Sequence, residues 1–146
     1  VELTHIFMTI EIKNADKVVE RIRARLLDGA DRRLQLALEA EKKEIDRRTT
    51  SGRDVDGGAF DEYSEGYARF KAKKGRKASP PDLTFTGSML RAMTVEVTRE
   101  GQKLIGRIFF NSAREAAKAA GNMRTRRFFG LSREQIERIV RRLKGD

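Results

Sequence analysis

Ile6, Met8, Ile10 and Ile12 alternate with Phe7, Thr9 and Glu11, the period of two that lays one face of a strand on a core. Asn14 then offers an N-cap. Beyond it Val18, Val19, Ile22, Leu26, Leu34, Leu38 and Ile45 recur at helical spacing between charged residues. That spacing predicts one long helix over about 15–48, weakened at Gly29, where a glycine costs roughly 1 kcal/mol. Such a helix outreaches a small globule, so much of it is expected to pack on other chains.

Residues 49–61 are rich in Gly and Asp and predict a surface loop. Ser64 caps a short helix from Glu65 to about Lys74, with Tyr67 and Phe70 on its apolar side. Pro80-Pro81 forces extended backbone. Residues 83–91, Leu-Thr-Phe-Thr-Gly-Ser-Met-Leu-Arg, look like a capped helical turn. Met93, Val95 and Val97 alternate with Thr94, Glu96 and Thr98, and a Gly101 turn leads to a return strand from Leu104 to Phe110. Residues 113–120 are Ala-rich and predict a weak short helix. Ser132 with Gln135 makes a capping box ahead of Ile136, Ile139, Val140 and Leu143, an amphipathic last helix.

The expected fold is α+β, with a long N-terminal helix packed on a small antiparallel sheet whose hairpin spans about 92–110. A short middle helix and a C-terminal amphipathic helix complete it. Residues 1–146 form a single domain in this reading, with an extended loop over about 49–82 and a C-terminal arm and helix over about 121–146.

The chain has no Cys and one His, His5, so disulfides and thiolate metal sites are excluded and zinc has no ligand spacing to use. No phosphate-loop pattern and no Gly-x-Ser-x-Gly elbow occurs. Asp54, Asp56 and Gly57 imitate a fragment of a calcium loop, but the remaining ligands are missing. Asp54, Asp56, Asp61 and Glu62 are the carboxylates a magnesium nuclease would need, yet they lie on a Gly-rich loop that does not pre-organise a metal. The expectation is a non-enzymatic chain without cofactor or metal. Val1 stands where an initiator Met would, Met8 offers an alternative start, and residues 1–12 lack the basic region and apolar run of a signal peptide. No apolar run is long enough to span a bilayer, so no membrane partner is expected.

Net charge is +10, and residues 111–146 hold ten Lys and Arg against four Asp and Glu, so the excess collects at the C-terminus. A basic surface faces nucleic acid or an acidic neighbour. The candidates for a DNA-facing surface are Lys71, Lys73, Lys74, Arg76, Lys77, Arg124 and Arg126.

Several ordered motifs resemble the phage virion morphogenesis family, the phage Mu G-protein-like neck and tail-completion proteins. They are Met8-Thr-Ile-Glu-Ile12, Gly57 and Phe60 leading to Tyr63-Ser64, Tyr67 and Lys71, Leu83 to Arg91, and Arg127-Phe-Phe-Gly-Leu-Ser132. Many family members carry a His between hairpin and Arg-Phe element, absent here, and Phe128 replaces the family's usual Pro. The resemblance implies a homo-oligomeric ring, six- or twelve-fold, at the head–tail junction of a virion assembled in the bacterial host cytoplasm. It implies adjacent head-completion or connector and tail proteins as partners, and genomic DNA passing through the lumen without sequence specificity. Subunit or partner contacts would fall on Phe60, Tyr63, Tyr67, Leu83, Phe85, Leu90, Arg127, Phe128, Phe129 and Leu131. A tail terminator ring protein and a basic DNA-binding accessory protein are the alternatives.

Overall fold

In the computed structural model, residues 7–12, 27–101 and 103–145 are described. In chain order they form β1 (Phe7–Ile12), α1 (Leu27–Thr50), α2 (Glu65–Lys73), α3 (Ser88–Arg91), β2 (Met93–Glu100), β3 (Lys103–Phe110), α4 (Ala113–Met123) and α5 (Arg133–Lys144). His5, the Asn14 cap and the apolar positions Val18, Val19, Ile22 and Leu26 lie outside the described residues.

The expected helix–hairpin–helix arrangement is corrected. The described residues hold five helices and an open three-stranded antiparallel sheet in the order β1-β3-β2. The reason lies in β3. Leu104, Ile105, Gly106, Ile108 and Phe110 are all buried along it, a near-continuous run that belongs to a central strand. A two-stranded hairpin would leave one of its edges with unpaired backbone groups. The N-terminal strand takes that edge, from Phe7 opposite Phe109 to Ile12 opposite Leu104. On the other edge β2 pairs from Met93↔Phe110 to Glu100↔Lys103.

Helix α1, about 36 Å long at 1.5 Å per residue over 24 residues, crosses this sheet and runs through Gly29. Its buried positions Leu34, Ala37, Leu38, Glu41, Ile45, Arg48 and Thr49 recur every three or four residues, one face from end to end. That face is covered by β2, β3 and α5 of the same chain, so the described part of the helix does not depend on other chains for its apolar stripe. The approach is closest at Gly106. A Cβ there would overlap the Leu38 side chain and come within 3.1 Å of Leu34 Cδ2, and both leucines are buried. Absence of a side chain at Gly106 therefore sets how near the helix lies to the sheet.

Phe128 and Phe129 close the core. Phe128 is fully buried, and the rings of Phe110 and Phe129 are 4.9 Å apart. Helix α5 docks differently from its apolar pattern. Ile139 is buried and Leu143 half-buried, whereas Ile136 and Val140 stand exposed and the polar Gln135 is buried. The helix is turned so that Gln135 and Arg138 reach Glu41 of α1. Hydrogen bonding to a buried acid overrides part of the apolar stripe.

Helices α3 and α4 pack on each other, and each also touches the sheet. Ala116 and Ala119, buried on α4, give the small surface that lets the helix lie close. The stretch 49–82 contains α2 and a single bridge between Arg53 and Ala59, and it returns to its own beginning. Pro80 lies against Gly52, whose φ of 77° and lack of Cβ leave room for the ring.

Candidate functional site

Two clusters gather the chemistry-bearing side chains. The first locks the Arg127–Ser132 segment to α1. Arg48 is buried near the end of α1, and its guanidinium donates to Phe128 O at 3.0 Å, to Gly130 O at 2.6 Å and to Gln135 Oε1. Gln135 Nε2 in turn donates to Glu41 Oε2 at 2.9 Å. Arg138 grips the same carboxylate with both Nε and Nη2, at 3.0 and 2.9 Å. The expected Ser132–Gln135 capping box is present, with Gln135 N–H donating to Ser132 Oγ at 3.2 Å and Ser132 N–H to Gln135 Oε1 at 3.0 Å.

Burial draws the Arg48 guanidinium below its ordinary value, and Glu44, Asp54, Glu41 and Asp56 oppose that pull. Its bonds to Glu41 hold the Arg138 guanidinium above its ordinary value. The planar fork of arginine satisfies several fixed acceptors at once, which explains why one side chain can pin two carbonyls and an amide.

The 53–60 loop is part of the same lock. Val55 N–H donates to Arg127 O at 2.8 Å, and Gly130 lies against Val55. Asp54 Oδ1 accepts from the N–H groups of Asp56 and Gly58 at 2.9 and 2.8 Å, so this carboxylate folds its own turn. Arg127 is exposed, 3.6 Å from the Asp56 carboxylate.

The second cluster is a cleft of about 680 Å³ between α2, the 83–89 segment and α4. Its floor is built on a buried cation. Lys71 is fully buried, donates to Asp82 Oδ1 at 2.9 Å and lies 4.7 Å from the centre of the Tyr63 ring. The same Asp82 oxygen accepts from Thr84 N–H at 3.0 Å, and Leu83 N–H donates to the Tyr63 hydroxyl at 3.0 Å. Leu83 itself has φ of 52°, a left-handed conformation that costs a branched side chain about 1–2 kcal/mol. Arg126 lies over the Tyr63 ring at 4.9 Å, and donates to the carbonyls of Asp61 and Glu62, each at 2.9 Å. From Tyr63 an aromatic series continues through Tyr67 and Phe70 to Phe85, which stacks on Phe70 at 5.7 Å with Arg76 5.6 Å from its centre.

Of the residues singled out from sequence, Tyr63, Tyr67, Leu83, Phe85 and Arg126 meet in this cleft. Phe60, Leu90, Phe128 and Phe129 are buried in the chain's own core, and Leu131 packs against that core. Lys71 is a buried ion-pair partner and does not face solvent. Lys73, Lys74, Arg76, Lys77 and Arg124 are exposed. Sequence reasoning missed Glu41 and Arg48 of the lock, which look like ordinary solvated positions on a charged helix, and read Gln135 as a helix cap alone. It also missed Arg114 and Lys118 of the cleft, whose i, i+4 spacing on the Ala-rich helix was the available signal.

Among the described residues no three His, Cys, Asp or Glu side chains group to hold a metal ion, and no helix is long and apolar enough to cross a membrane. No family model, curated protein or solved structure matches the chain. This corrects the terms that the motif resemblance suggested. Bacteriophage, virion morphogenesis, neck, tail completion, head–tail connector and homo-oligomeric ring are labels that no match attaches to this chain, and the resemblance stands as a set of motifs alone.

Proposed function

We propose that this chain is a structural subunit rather than an enzyme, working at the head–tail junction of a tailed phage. There it would pack beside copies of itself to help join head to tail around the DNA passage. One observation carries the reading. With the core already closed, four of the five exposed large apolar side chains among the described residues stand as neighbouring pairs on separate helices. These are Tyr67 and Phe70 on α2, at 40% and 46%, and Ile136 and Val140 on α5, at 46% and 41%, while Leu36 on α1 stands alone at 57%. A closed ring of more than two copies needs two different patches per subunit, one to meet the next copy's other. Single exposed hydrophobics are ordinary, but paired stripes on two elements fit assembly.

Motif placement supports the same reading. Leu83 and Phe85 to Met89 line the cleft, and Phe128, Gly130 and Ser132 of the second motif take part in the lock. The test is to purify virions of the phage encoding this chain and localise it by mass spectrometry and immunogold labelling. The reading expects a few copies per particle at the neck. Absence from purified virions overturns it.

The net charge of +10 and the exposed Lys73, Lys74 and Lys77 favour a second reading, a DNA-binding accessory protein. Binding to bare duplex with log K falling linearly and steeply against log salt would replace the first reading with this one.

A further inference from the structure

We propose that the cleft between α2 and α4 is a docking site for an acidic, extended segment of another protein, anchored by an apolar side chain. Its charges are the first argument. Arg114 lines the cleft, is exposed, and makes no hydrogen bond or ion pair among the described residues. Arg126 donates to the carbonyls of Asp61 and Glu62 and to the Thr125 hydroxyl and lies over the Tyr63 ring, with no carboxylate partner among the described residues. Lys118 shares Glu115 with Ser88. Among the described residues Glu115 is the only carboxylate that bonds with these side chains, and Lys118 already answers it. The rim therefore holds uncompensated positive charge, aimed at a shared space.

Floor chemistry is the second argument. Leu83, Phe85 and Tyr67 line the cleft, and Leu83 is held there at positive φ. Strain of that kind persists where surrounding structure imposes it, and it concentrates at binding sites. A volume of about 680 Å³ lies within the roughly 300–1,000 Å³ of a ligand pocket. That accommodates a few side chains of an extended segment, and the open mouth lets the flanking chain leave on either side.

Nucleic acid fits this particular place less well. Base recognition on a single strand needs free aromatic faces. Here Tyr63 is engaged by Lys71 and Arg126, and Phe85 by Phe70 and Arg76. The exposed lysines at the end of α2 lie outside the lining of the cleft. Discrete carboxylates with an apolar anchor complement what remains: separate cations around a greasy floor. The inference does not rest on the assembly reading, because a chain that stays monomeric presents the same cleft.

A random dodecapeptide library panned against the full chain provides the probe, and the most enriched peptide, labelled with fluorescein, is titrated by anisotropy. Enrichment of Asp- and Glu-rich sequences carrying an aromatic or aliphatic anchor is expected. Arg114→Glu with Lys118→Glu should weaken the labelled peptide by roughly tenfold or more, and Phe85→Ala should weaken it while leaving the sequence preference acidic. If the double variant fails to fold, Arg114→Ala alone is titrated and a smaller loss is expected. Oligothymidylate serves as competitor, and the proposal expects it to leave the peptide bound. Enrichment of neutral or basic peptides, no enrichment at all, unchanged affinity in the Arg114 variants, or displacement of the peptide by oligothymidylate would each overturn it.

Discussion

The lock beneath the Arg127–Ser132 segment and the cleft beside α2 are made from the same residue types, arginine, acid and aromatic ring, in opposite circumstances. In the lock every participating charge meets hydrogen-bond partners of its own chain. Arg48 is buried with three acceptors, and Glu41 is buried with donors from Gln135 and Arg138. In the cleft, Arg114 has none among the described residues, and Arg126 meets only neutral groups there, two carbonyls, the Thr125 hydroxyl and the Tyr63 ring. Within the lock the Arg48 Nε alone is buried without a partner among the described residues, and breaking a buried, bonded charge is costly. Exposed charge without a partner adds little to stability and remains available for recognition. Net charge alone says nothing about which of these a given arginine does.

Removing Arg48 breaks the comparison most severely. Arg48→Met leaves the Phe128 and Gly130 carbonyls without this donor and takes from the Gln135 amide oxygen one of its two donors, and should lower unfolding free energy by about 3 kcal/mol, read from the urea midpoint. Arg48→Lys should recover little of that, since an ammonium cannot reproduce the fork. A loss below about 1 kcal/mol, within the range of an ordinary surface site, would mean that the lock is incidental to the fold.

Next in size is Gly106→Val, which asks whether shape beneath the lock matters as much as charge. The added side chain must displace Leu34 and Leu38, and overpacking of this kind costs about 1–3 kcal/mol. Thermal unfolding checks it, and an unchanged midpoint would show that α1 can ride higher on the sheet.

Sharpening the other side needs Arg114→Glu. As an exposed, unpaired site it should change stability by less than about 0.5 kcal/mol while weakening acidic-peptide binding. A large stability loss would place Arg114 with the lock residues.

The smallest effect is acid-dependent. A hydrogen bond from Arg47 holds the Glu44 carboxyl below its ordinary value of 4.5. A folded-state value below the unfolded one stabilises at pH above the unfolded value, and that contribution is lost as pH falls through the folded value. Glu44→Gln should therefore differ slightly from wild type at neutral pH, and the two stability curves should converge as pH drops below 4.5. Curves that diverge on acidification would reverse the sign.

What was legible in the sequence was mostly local. Alternation from Met93 to Phe110 gave the hairpin, and Ser64 and Ser132 marked the helix starts, because caps and turns are decided within a few residues. The partner of the N-terminal strand was not legible, since alternation reports a buried face and not the strand beside it. Five basic residues between Lys71 and Lys77 looked like one solvated cluster, and nothing local distinguished Lys71, whose burial depends on Asp82 and Tyr63. Glu41 and Arg48 were equally silent. Their role appears only when α5 is laid against α1, and the same packing turned Ile136 and Val140 outward against the apolar pattern. In the cleft, Tyr63, Tyr67, Leu83 and Phe85 were marked in advance by motif, whereas Arg114 and Lys118 lay on a helix that seemed too plain to carry recognition.

Assembly is the claim on which the functional reading stands, and electron microscopy tests it most directly. The purified chain would be imaged in negative stain, alone and mixed with connector and tail-tube proteins of a tailed phage, with Tyr67→Glu/Val140→Glu as the control. Annular particles formed by wild type and lost in the variant are the predicted result. Monomers under every condition, or rings that form equally well from the variant, would contradict the account.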